Sequence, residues 1–326
     1  MKKFAALLLA VMMTFSVTAC TAQQAASSKT AEESKASAAP KTDFKAAMVT
    51  DTGGVNDQSF NQSSWEGLQK ISKDTGIEVK YTESKQESDY VTNLDKAADD
   101  ENNLIWGIGF AMSDAILNAA KQNPDINYAI VDMAYEKTPE NVTGVVFRAQ
   151  EPSFTVGYIA AKTTKTGKVG FVGGQHSNVI DQFEYGYKAG VAYAAKELGK
   201  NITVDAQYAE SFSDASKGKA IASSMFSKNC DIVFHAAGGA GVGVIQAAKE
   251  ANKFAIGVDR DQAYLAPENV LTSALKHVGH AVELVTKEAI DGKKIGGKTY
   301  AYGLTENAVG IPEKHDLMGD EVYNAA

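Results

Sequence analysis

Short runs of apolar, often β-branched residues alternate with longer amphipathic stretches from Thr42 onward. The runs have the length and composition of buried strands and occupy residues 46–50, 78–82, 104–108, 128–131, 143–147, 168–172, 203–208, 231–234, 254–258 and 270–274. Helical periodicity fills most of the intervals, as in residues 86–99, 113–121, 179–198, 214–227 and 243–252. Because strands that alternate with helices form parallel sheets covered on both faces, the pattern predicts an α/β fold.

The strand pattern nearly repeats itself, with about five strands in each half of the body. A body of about 285 residues usually divides into two domains. We therefore predict two doubly wound lobes with a cleft between them and a hinge of several crossovers. A helix at 277–291 and a strand at 299–303 are expected to return to the first lobe. The predicted lobes comprise residues 43–148 with 277–303, and residues 149–276 with 304–326.

The first 42 residues have a different composition. A basic head precedes an apolar run, 4–19, which is short for a membrane span and typical of a secretory signal. Val17-Thr18-Ala19-Cys20 resembles the lipobox of bacterial lipoproteins, so residues 1–19 are a predicted signal peptide and Cys20 a predicted lipidation site. A plain signal peptide that contains a cysteine is the alternative. Residues 20–42 lack large hydrophobic side chains and are predicted to be a disordered linker. We expect a lipid-anchored protein on the extracytoplasmic face of the cell membrane.

The charge of the chain argues against nucleic acid as a partner, and its cysteine content argues against a disulfide bond. The formal net charge of −8 becomes about −10 when Lys2 and Lys3 leave with the signal peptide, and only two arginines occur. Nucleic-acid binding needs a clustered basic surface and is not expected. If Cys20 is lipidated, Cys230 has no disulfide partner, and we predict that it is a small buried residue.

The segment Val49–Gly67 is the most informative part of the chain. A strand ends at Asp51, a polar loop through Asp57 follows, and Phe60 precedes a helix around Trp65. Polar turns at the carboxyl ends of strands are where open α/β sheets bind ligands. A solvated turn with Phe60 in a local core is the alternative.

Three predicted strands end in a carboxylate, at Asp51, Asp132 and Asp259. One such residue is a common turn or helix-capping residue, but three from both lobes could face one crevice. Carboxylates accept hydrogen bonds from hydroxyl groups and repel anions. The predicted ligand therefore carries vicinal hydroxyl groups and no phosphate.

The glycine-rich turn at 238–243 resembles a dinucleotide-binding turn. Its spacing fails, because Val244 or Gln246 stands where the third glycine belongs. We interpret Gly238 and Gly239 instead as positions where backbone amides approach a small neutral ligand.

Aromatic side chains and one lysine complete the predicted site. Phe60, Phe110 and Phe183 lie close to strand ends, where a ring can stack on a planar base or can simply cover the core beneath it. Phe234 is a further candidate, although a residue inside a strand is more often core. Lys276 ends a strand, and we expect it in the site, where it donates to ligand hydroxyl groups or neutralises the carboxylates. A solvated lysine that caps the strand is the alternative.

Signals for catalysis are missing from the sequence. The five histidines lack metal-ligand spacing, and neither a nucleophile elbow nor a P-loop occurs. We predict no catalytic residue, metal or cofactor.

These features together resemble the basic membrane protein family, the nucleoside-binding lipoproteins of the purine nucleoside receptor type that serve ABC importers. The resemblance covers the whole mature body and is carried by residues 51–54, 57–62, 65–67, 107–110, 171–174, 237–239 and 257–262. It implies the type I periplasmic-binding-protein fold, a nucleoside ligand (purine favoured) and an ABC permease as partner. We also expect a monomer.

The resemblance implies roles for individual residues. Phe60 would stack on the base, Asp132 and Asp57 would accept from donors on the base edge, and Asp259 and Lys276 would hold the ribose. The full set of predicted ligand-binding residues is Asp51 on the cleft floor, Asp57, Phe60, Asn61, Phe110, Asp132, Phe183, Gly238, Gly239, Asp259 and Lys276.

Several alternatives stay open. The second stacking ring is Phe183 or Phe234, and Ala240 stands where a threonine is expected in the family. A receptor for a sugar such as ribose or galactose would share the fold and the hydroxyl chemistry. An adhesin or signalling lipoprotein would use the same body for a partner protein. An exported nucleoside-cleaving enzyme is the third alternative, but it has no general acid or nucleophile here.

Overall fold

Two six-stranded sheets form the body of the protein. The computed structural model describes residues 43–326, so the predicted signal peptide, Cys20 and the linker lie outside the described residues. Each sheet belongs to one lobe, and helices pack against it. The predicted α/β class with two doubly wound lobes is confirmed.

The strands, in chain order, are β1 (Lys45–Thr50), β2 (Glu78–Thr82), β3 (Leu104–Ile108), β4 (Asn127–Val131), β5 (Val142–Phe147), β6 (Lys168–Gly173), β7 (Thr203–Tyr208), β8 (Ile232–Ala236), β9 (Phe254–Asp259), β10 (Val270–Lys276), β11 (Lys298–Tyr302) and β12 (Val309–Gly310). The helices are α1 (Phe60–Thr75), α2 (Asp89–Asp99), α3 (Ser113–Gln122), α4 (Gln150–Thr163), α5 (Asn178–Leu198), α6 (Ala215–Ser227), α7 (Ala240–Ala251), α8 (Val278–Ile290) and α9 (Asp320–Ala325).

The strand order is the same in both lobes. It runs β11-β5-β4-β3-β1-β2 in the first lobe and β12-β10-β9-β8-β6-β7 in the second. Five successive strands of each lobe thus follow the doubly wound order 2-1-3-4-5. Among the described strands, β12 pairs antiparallel with β10, and the other pairs are parallel. The carboxyl ends of the parallel strands therefore form one edge of each lobe, which is where such sheets bind ligands.

Within residues 43–326 the chain passes between the lobes three times. It crosses after β5, returns between β10 and α8, and crosses again between β11 and β12. Helix α8 packs so closely on α1 that a Cβ on Gly67 would lie 2.1 Å from the carbonyl oxygen of Gly279. Trp106 of β3 also donates a 3.0 Å hydrogen bond to the hydroxyl of Thr286 on α8. Helix α8 is therefore an integral part of the first lobe.

Three elements are absent from the sequence prediction. Helix α4 buries eight of its residues and has Pro152 in its first turn, so it shows no polar face that would reveal its period. Strand β12 has two residues and α9 has six, which is too short for a periodic signal.

The second lobe has an aromatic core. Phe234 is fully buried, and its ring centroid lies 5.5 Å from Phe171, 5.2 Å from Tyr187 and 6.3 Å from Phe183. Cys230 is buried and unpaired beside β8, as predicted for a small apolar residue. Among residues 43–326, no helix has the length and hydropathy to cross a membrane.

Candidate functional site

A cavity lies between the carboxyl edges of the two sheets. Its empty space amounts to about 690 Å³, which includes a part that is open to solvent. The predicted site residues that line it are Asp51, Asp57, Phe60, Asn61, Phe110 and Asp132 from the first lobe and Phe183, Gly238, Asp259 and Lys276 from the second. The carboxylates at the ends of β1, β4 and β9 therefore face one space.

One predicted residue, Gly239, does not line the cavity. A Cβ at Gly239 would lie 3.7 Å from the Cα of Asp57, so its backbone packs against the opposite lobe. Gly238, with a φ of +53°, lines the cavity in its place. Gly239 thus lets the two lobes approach each other closely, and Gly238 leaves the cavity accessible.

Other residues that line the cavity are missing from the prediction: Thr52, Gly53, Glu87, Tyr90, Gly109, Ala111, Gln175, Val179, Ile180, Phe212, Ala236 and Val258. Phe212 follows β7 as Phe110 follows β3, and the two ring centroids are 6.4 Å apart. The rule that selected Phe110, an aromatic residue just beyond a strand, could have identified Phe212.

Asp57 caps helix α1. Its Oδ1 accepts from the backbone N–H groups of Ser59 at 2.9 Å and Gln62 at 3.1 Å. Its Oδ2 accepts from the backbone and the side chain of Asn61, at 2.8 and 3.0 Å. A carboxylate has about four acceptor positions, and all four are used here. This cap starts α1 at Phe60 and fixes that ring at the cavity wall.

Asn61 leaves an acceptor without a donor. Its Nδ2 donates to Asp51 Oδ1 at 2.8 Å as well as to Asp57, which fixes the orientation of the amide. Its Oδ1 is buried and has no hydrogen-bond partner within the described residues. Asp51 Oδ1 also accepts from the N–H of Gly53 at 2.8 Å. An unsatisfied buried oxygen in a cavity wall is costly unless a ligand donates to it.

Burial makes two of the carboxyl groups weak acids. Desolvation raises the pKa of Asp51 to about 6, with the neighbouring Asp57 and Asp132 charges adding to the effect and the bonds from Asn61 and Gly53 opposing it. Desolvation also raises the pKa of Asp259 to about 6, against the attraction of Lys276 and the bond from Ser59. Groups with pKa values moved this far often mark binding sites.

Asp132 and Asp259 have left-handed backbones, with φ of 64° and 65°. Residues other than glycine rarely adopt this region, and such strain is held where the surrounding structure requires it. Asp132 accepts from Lys276 Nζ at 2.6 Å, an ion pair that joins the two lobes. Asp259 accepts from the hydroxyl of Ser59, again across the lobes.

Lys276 is 2 % exposed, which excludes the alternative of a solvated strand cap. Its ammonium lies 4.6 Å from the ring centroid of Phe60, 5.3 Å from Phe147 and 5.6 Å from Phe183. Rings at these distances stabilise a cation. Phe60 and Phe183, from opposite lobes, thus flank a common space, whereas Phe234 lies in the core and does not line the cavity.

The cavity presents groups for hydrogen bonding and for stacking. None of the residues that line it is a histidine or cysteine. Within residues 43–326, no cluster of histidine, cysteine and acidic side chains has the arrangement of a metal site. Five carboxyl groups and one ammonium line the space, so its chemistry favours an uncharged ligand with many donors.

The chain is similar to known proteins over almost the whole of its described length. Residues 44–326 match the family described as ABC transporter substrate-binding protein PnrA-like. The chain is 43% identical over 283 residues to basic membrane protein A of Borreliella burgdorferi, covering 85% of this chain and 82% of the relative. It is 44% identical over 292 residues to the ABC transporter nucleoside-binding protein BmpA of Lactococcus lactis, covering 83% and 82%.

A third relative is the CD4+ T-cell-stimulating antigen of Listeria monocytogenes, 44% identical over 301 residues, which cover 86% of this chain and 83% of the relative. Among solved structures, an ABC transporter solute-binding protein from Aeropyrum pernix K1 superposes with a TM-score of 0.79 at 29% identity, covering 83% of this chain and 76% of that one. The predicted periplasmic-binding-protein fold is confirmed.

Proposed function

Because the chain belongs to the family of PnrA-like ABC transporter substrate-binding proteins, we propose that it captures nucleosides, purine nucleosides by preference, and delivers them to an ABC permease. The observation that carries this proposal is the single cavity lined by aromatic rings and carboxylates from both lobes. The name of the Lactococcus lactis relative supports a nucleoside as the ligand. The role is one of binding without catalysis.

The base would lie between Phe60 and Phe183. The two rings come from opposite lobes and flank the same space, and stacking contributes about 1–3 kcal/mol per base–ring contact. The unpartnered Oδ1 of Asn61 and the neighbouring carboxyl of Asp51 are acceptors, which favours a base edge that presents N–H groups. Asp57 would act through its cap on α1 rather than as a direct contact, because its acceptor positions are already occupied.

The ribose would lie against the second lobe. Asp259 and Lys276 stand at the ends of adjacent strands, β9 and β10, and offer an acceptor and a donor for neighbouring hydroxyl groups. A 2′-deoxy analogue would leave one of these buried groups without a partner, which costs about 1–3 kcal/mol. The five carboxyl groups would repel a nucleotide phosphate.

Calorimetric titration of the purified protein tests the proposal. We expect inosine and guanosine to bind, their 2′-deoxy forms to bind about tenfold more weakly, and guanosine monophosphate to bind weakly or not at all. Free ribose is the control for a sugar receptor. Binding of ribose as tight as that of inosine, or no binding of any nucleoside, would contradict the proposal.

We also propose that the protein is a monomer held at the extracytoplasmic face of the membrane through lipid on Cys20. The lipobox-like Val17–Cys20 and the preceding apolar run support this location. A Cys20→Ala variant should appear in the soluble fraction, while the unaltered chain partitions into detergent. Equal partitioning of the two proteins would exclude the anchor.

A further inference from the structure

The lobes meet at a cluster of polar contacts beside the cavity. Two consecutive residues of the first lobe, Gln58 and Ser59, face the second-lobe segment 259–264. The hydroxyl of Ser59 donates to Asp259 Oδ2. Gln262 Nε2 donates to the carbonyl of Gln58 at 3.1 Å, and the hydroxyl of Tyr264 donates to Gln58 Oε1 at 2.7 Å. We call these five residues the interlobe latch.

The second-lobe half of the latch is fixed in place. Gln262 is fully buried, and its Oε1 accepts from the N–H of Val258 at 2.9 Å and from Nε2 of the buried His235 at 3.0 Å. These bonds orient the amide so that Nε2 points towards the first lobe. The packing leaves no room for a side chain at Gly257, where a Cβ would lie 2.6 Å from Gln262 Oε1. When the lobes close, the carbonyl of Gln58 therefore meets a donor, Gln262 Nε2, that is already oriented.

The first-lobe half is continuous with the ligand site. Gln58 has a φ of 57°, an unusual conformation for this residue type, and it lies between the α1 cap Asp57 and Ser59. Phe60, which lines the cavity, follows directly. Ser59 is fully buried and does not line the cavity, whereas its partner Asp259 does.

We propose that Ser59 is a positioning residue that couples ligand capture to lobe closure through Asp259. This inference rests on the proposed function, in which the same carboxylate holds a ligand hydroxyl. In the closed form Asp259 is 6 % exposed, so it must replace its water by donors from the protein and the ligand. Ser59 supplies one donor only when the lobes meet, and the ligand supplies the other only when it is bound. Each donor therefore makes the other more favourable.

The coupling makes a specific kinetic prediction. Loss of the Ser59 hydroxyl leaves the solvated Asp259 of an open form unaffected and removes a donor from the closed form. Bonds to charged groups are among the strongest hydrogen bonds in proteins. We expect Ser59→Ala to weaken nucleoside binding by about tenfold or more, mainly through faster dissociation.

The experiment compares the mature chain with Ser59→Ala, Ser59→Thr and Tyr264→Phe variants. Inosine affinity and dissociation rate are measured by stopped-flow fluorescence, and the radius of gyration by small-angle X-ray scattering with and without inosine. Ser59→Ala should bind more weakly, dissociate faster and compact less with inosine, while its unfolding temperature without ligand stays within about 2 °C. Ser59→Thr keeps the hydroxyl and should restore binding, and Tyr264→Phe should have a smaller effect because Tyr264 is half exposed.

Unchanged affinity and dissociation rate in Ser59→Ala would overturn the latch while leaving the nucleoside function intact. Failure of the unaltered protein to bind any nucleoside would instead contradict the proposed function. In that case the coupling, which rests on nucleoside binding, is overturned as well.

Discussion

At the scale of single residues, the sequence identified ten of the residues that line the cavity, because strand ends are easy to locate. Asp51, Asp132 and Asp259 follow apolar runs of clear length, and the doubly wound order brings such ends together. The sequence pattern could not show which hydrogen bonds each polar side chain makes. The hydrogen bonds of Asp57 to the start of α1 and the unpartnered Oδ1 of Asn61 depend on side-chain orientation, which no spacing in the sequence encodes.

The weak acidity of Asp51 and Asp259 predicts pH-dependent binding. If ligand hydroxyl and N–H groups bond to the ionised carboxylates, binding lowers their pKa from about 6. Affinity should then be constant above about pH 7 and fall as the pH drops through 6, by up to about tenfold per pH unit for each group. Titrations with inosine across this range measure the effect. An Asp259→Asn variant should show a shallower dependence, and a flat profile in the unaltered protein would contradict the argument.

The same two groups predict the opposite trend for the protein without ligand. Their folded-state pKa values lie above the ordinary aspartate value of 3.8, so the folded form binds protons more tightly than the unfolded chain. Their contribution to stability is fully present below about pH 4 and is lost as the pH rises through 6. Ligand-free protein should therefore lose less stability on acidification in this range than an Asp51→Asn, Asp259→Asn double variant does. Denaturant unfolding of both proteins at pH 5 and pH 7 provides the comparison.

Phe183 offers a direct test of stacking. Phe183→Ala should weaken nucleoside binding about tenfold or more, since one base–ring contact contributes about 1–3 kcal/mol. Phe154→Ala is the matched control, because Phe154 lies on the same lobe, is 38 % exposed and does not line the cavity. Calorimetry on both variants provides the measurement. Equal affinities would remove Phe183 from the site.

At the scale of elements, the prediction succeeded for short buried strands and for helices with a polar face, and it missed a helix that is buried on most sides. Residues 270–274 were recognised as a short strand-like run and residues 277–291 by their helical pattern, and they are observed as β10 and α8 with small shifts of the ends. Helix α4 was missed because it is buried on most sides and its composition alone does not separate helix from strand. The start of α1 at Phe60 depends on the cap by Asp57, a local contact set by the orientation of one side chain.

The cap on α1 links fold stability to the ligand site. Asp57→Ala removes the acceptor of three backbone N–H groups and should lower the free energy of unfolding by about 1–3 kcal/mol. It should also weaken nucleoside binding, because Phe60 is the first residue of the helix. Asp214 caps α6 through Ser216 and Lys217 and does not itself line the cavity. Asp214→Ala should therefore lower stability without changing affinity, and a loss of affinity there would argue against a local effect at Asp57.

At the scale of the whole molecule, the lobes are interlocked by the chain path. Helix α8 and strand β11 complete the first lobe, and β12 and α9 join the second, although all four follow β10. The repeat of five strands was visible in the sequence. That residues 277–326 serve both lobes followed only as an expectation from the position of one helix and one strand. The pairing of β11 with β5 and of β12 with β10 shows which lobe each of these strands joins.

This chain path predicts that the lobes do not fold as separate pieces. A chain that ends at Lys276 lacks α8, whose Val278, Ala281 and Val282 are buried against the first lobe. We expect it to show no cooperative unfolding transition. A chain that ends at Gly319 loses only α9, which buries no residue, and should unfold like the full protein. Circular dichroism during thermal unfolding distinguishes the two. A sharp transition in the shorter chain would contradict the prediction.

The burial of Cys230 has a practical consequence. Burial raises the pKa of its thiol to about 11, so little thiolate is present at neutral pH, and it is the free cysteine of residues 43–326. Glu87 is exposed at the mouth of the cavity. In a chain that begins at residue 43, a maleimide dye should therefore attach to a Glu87→Cys variant at one position. Its emission would report occupancy of the cleft and turn the protein into an optical sensor for its own ligand.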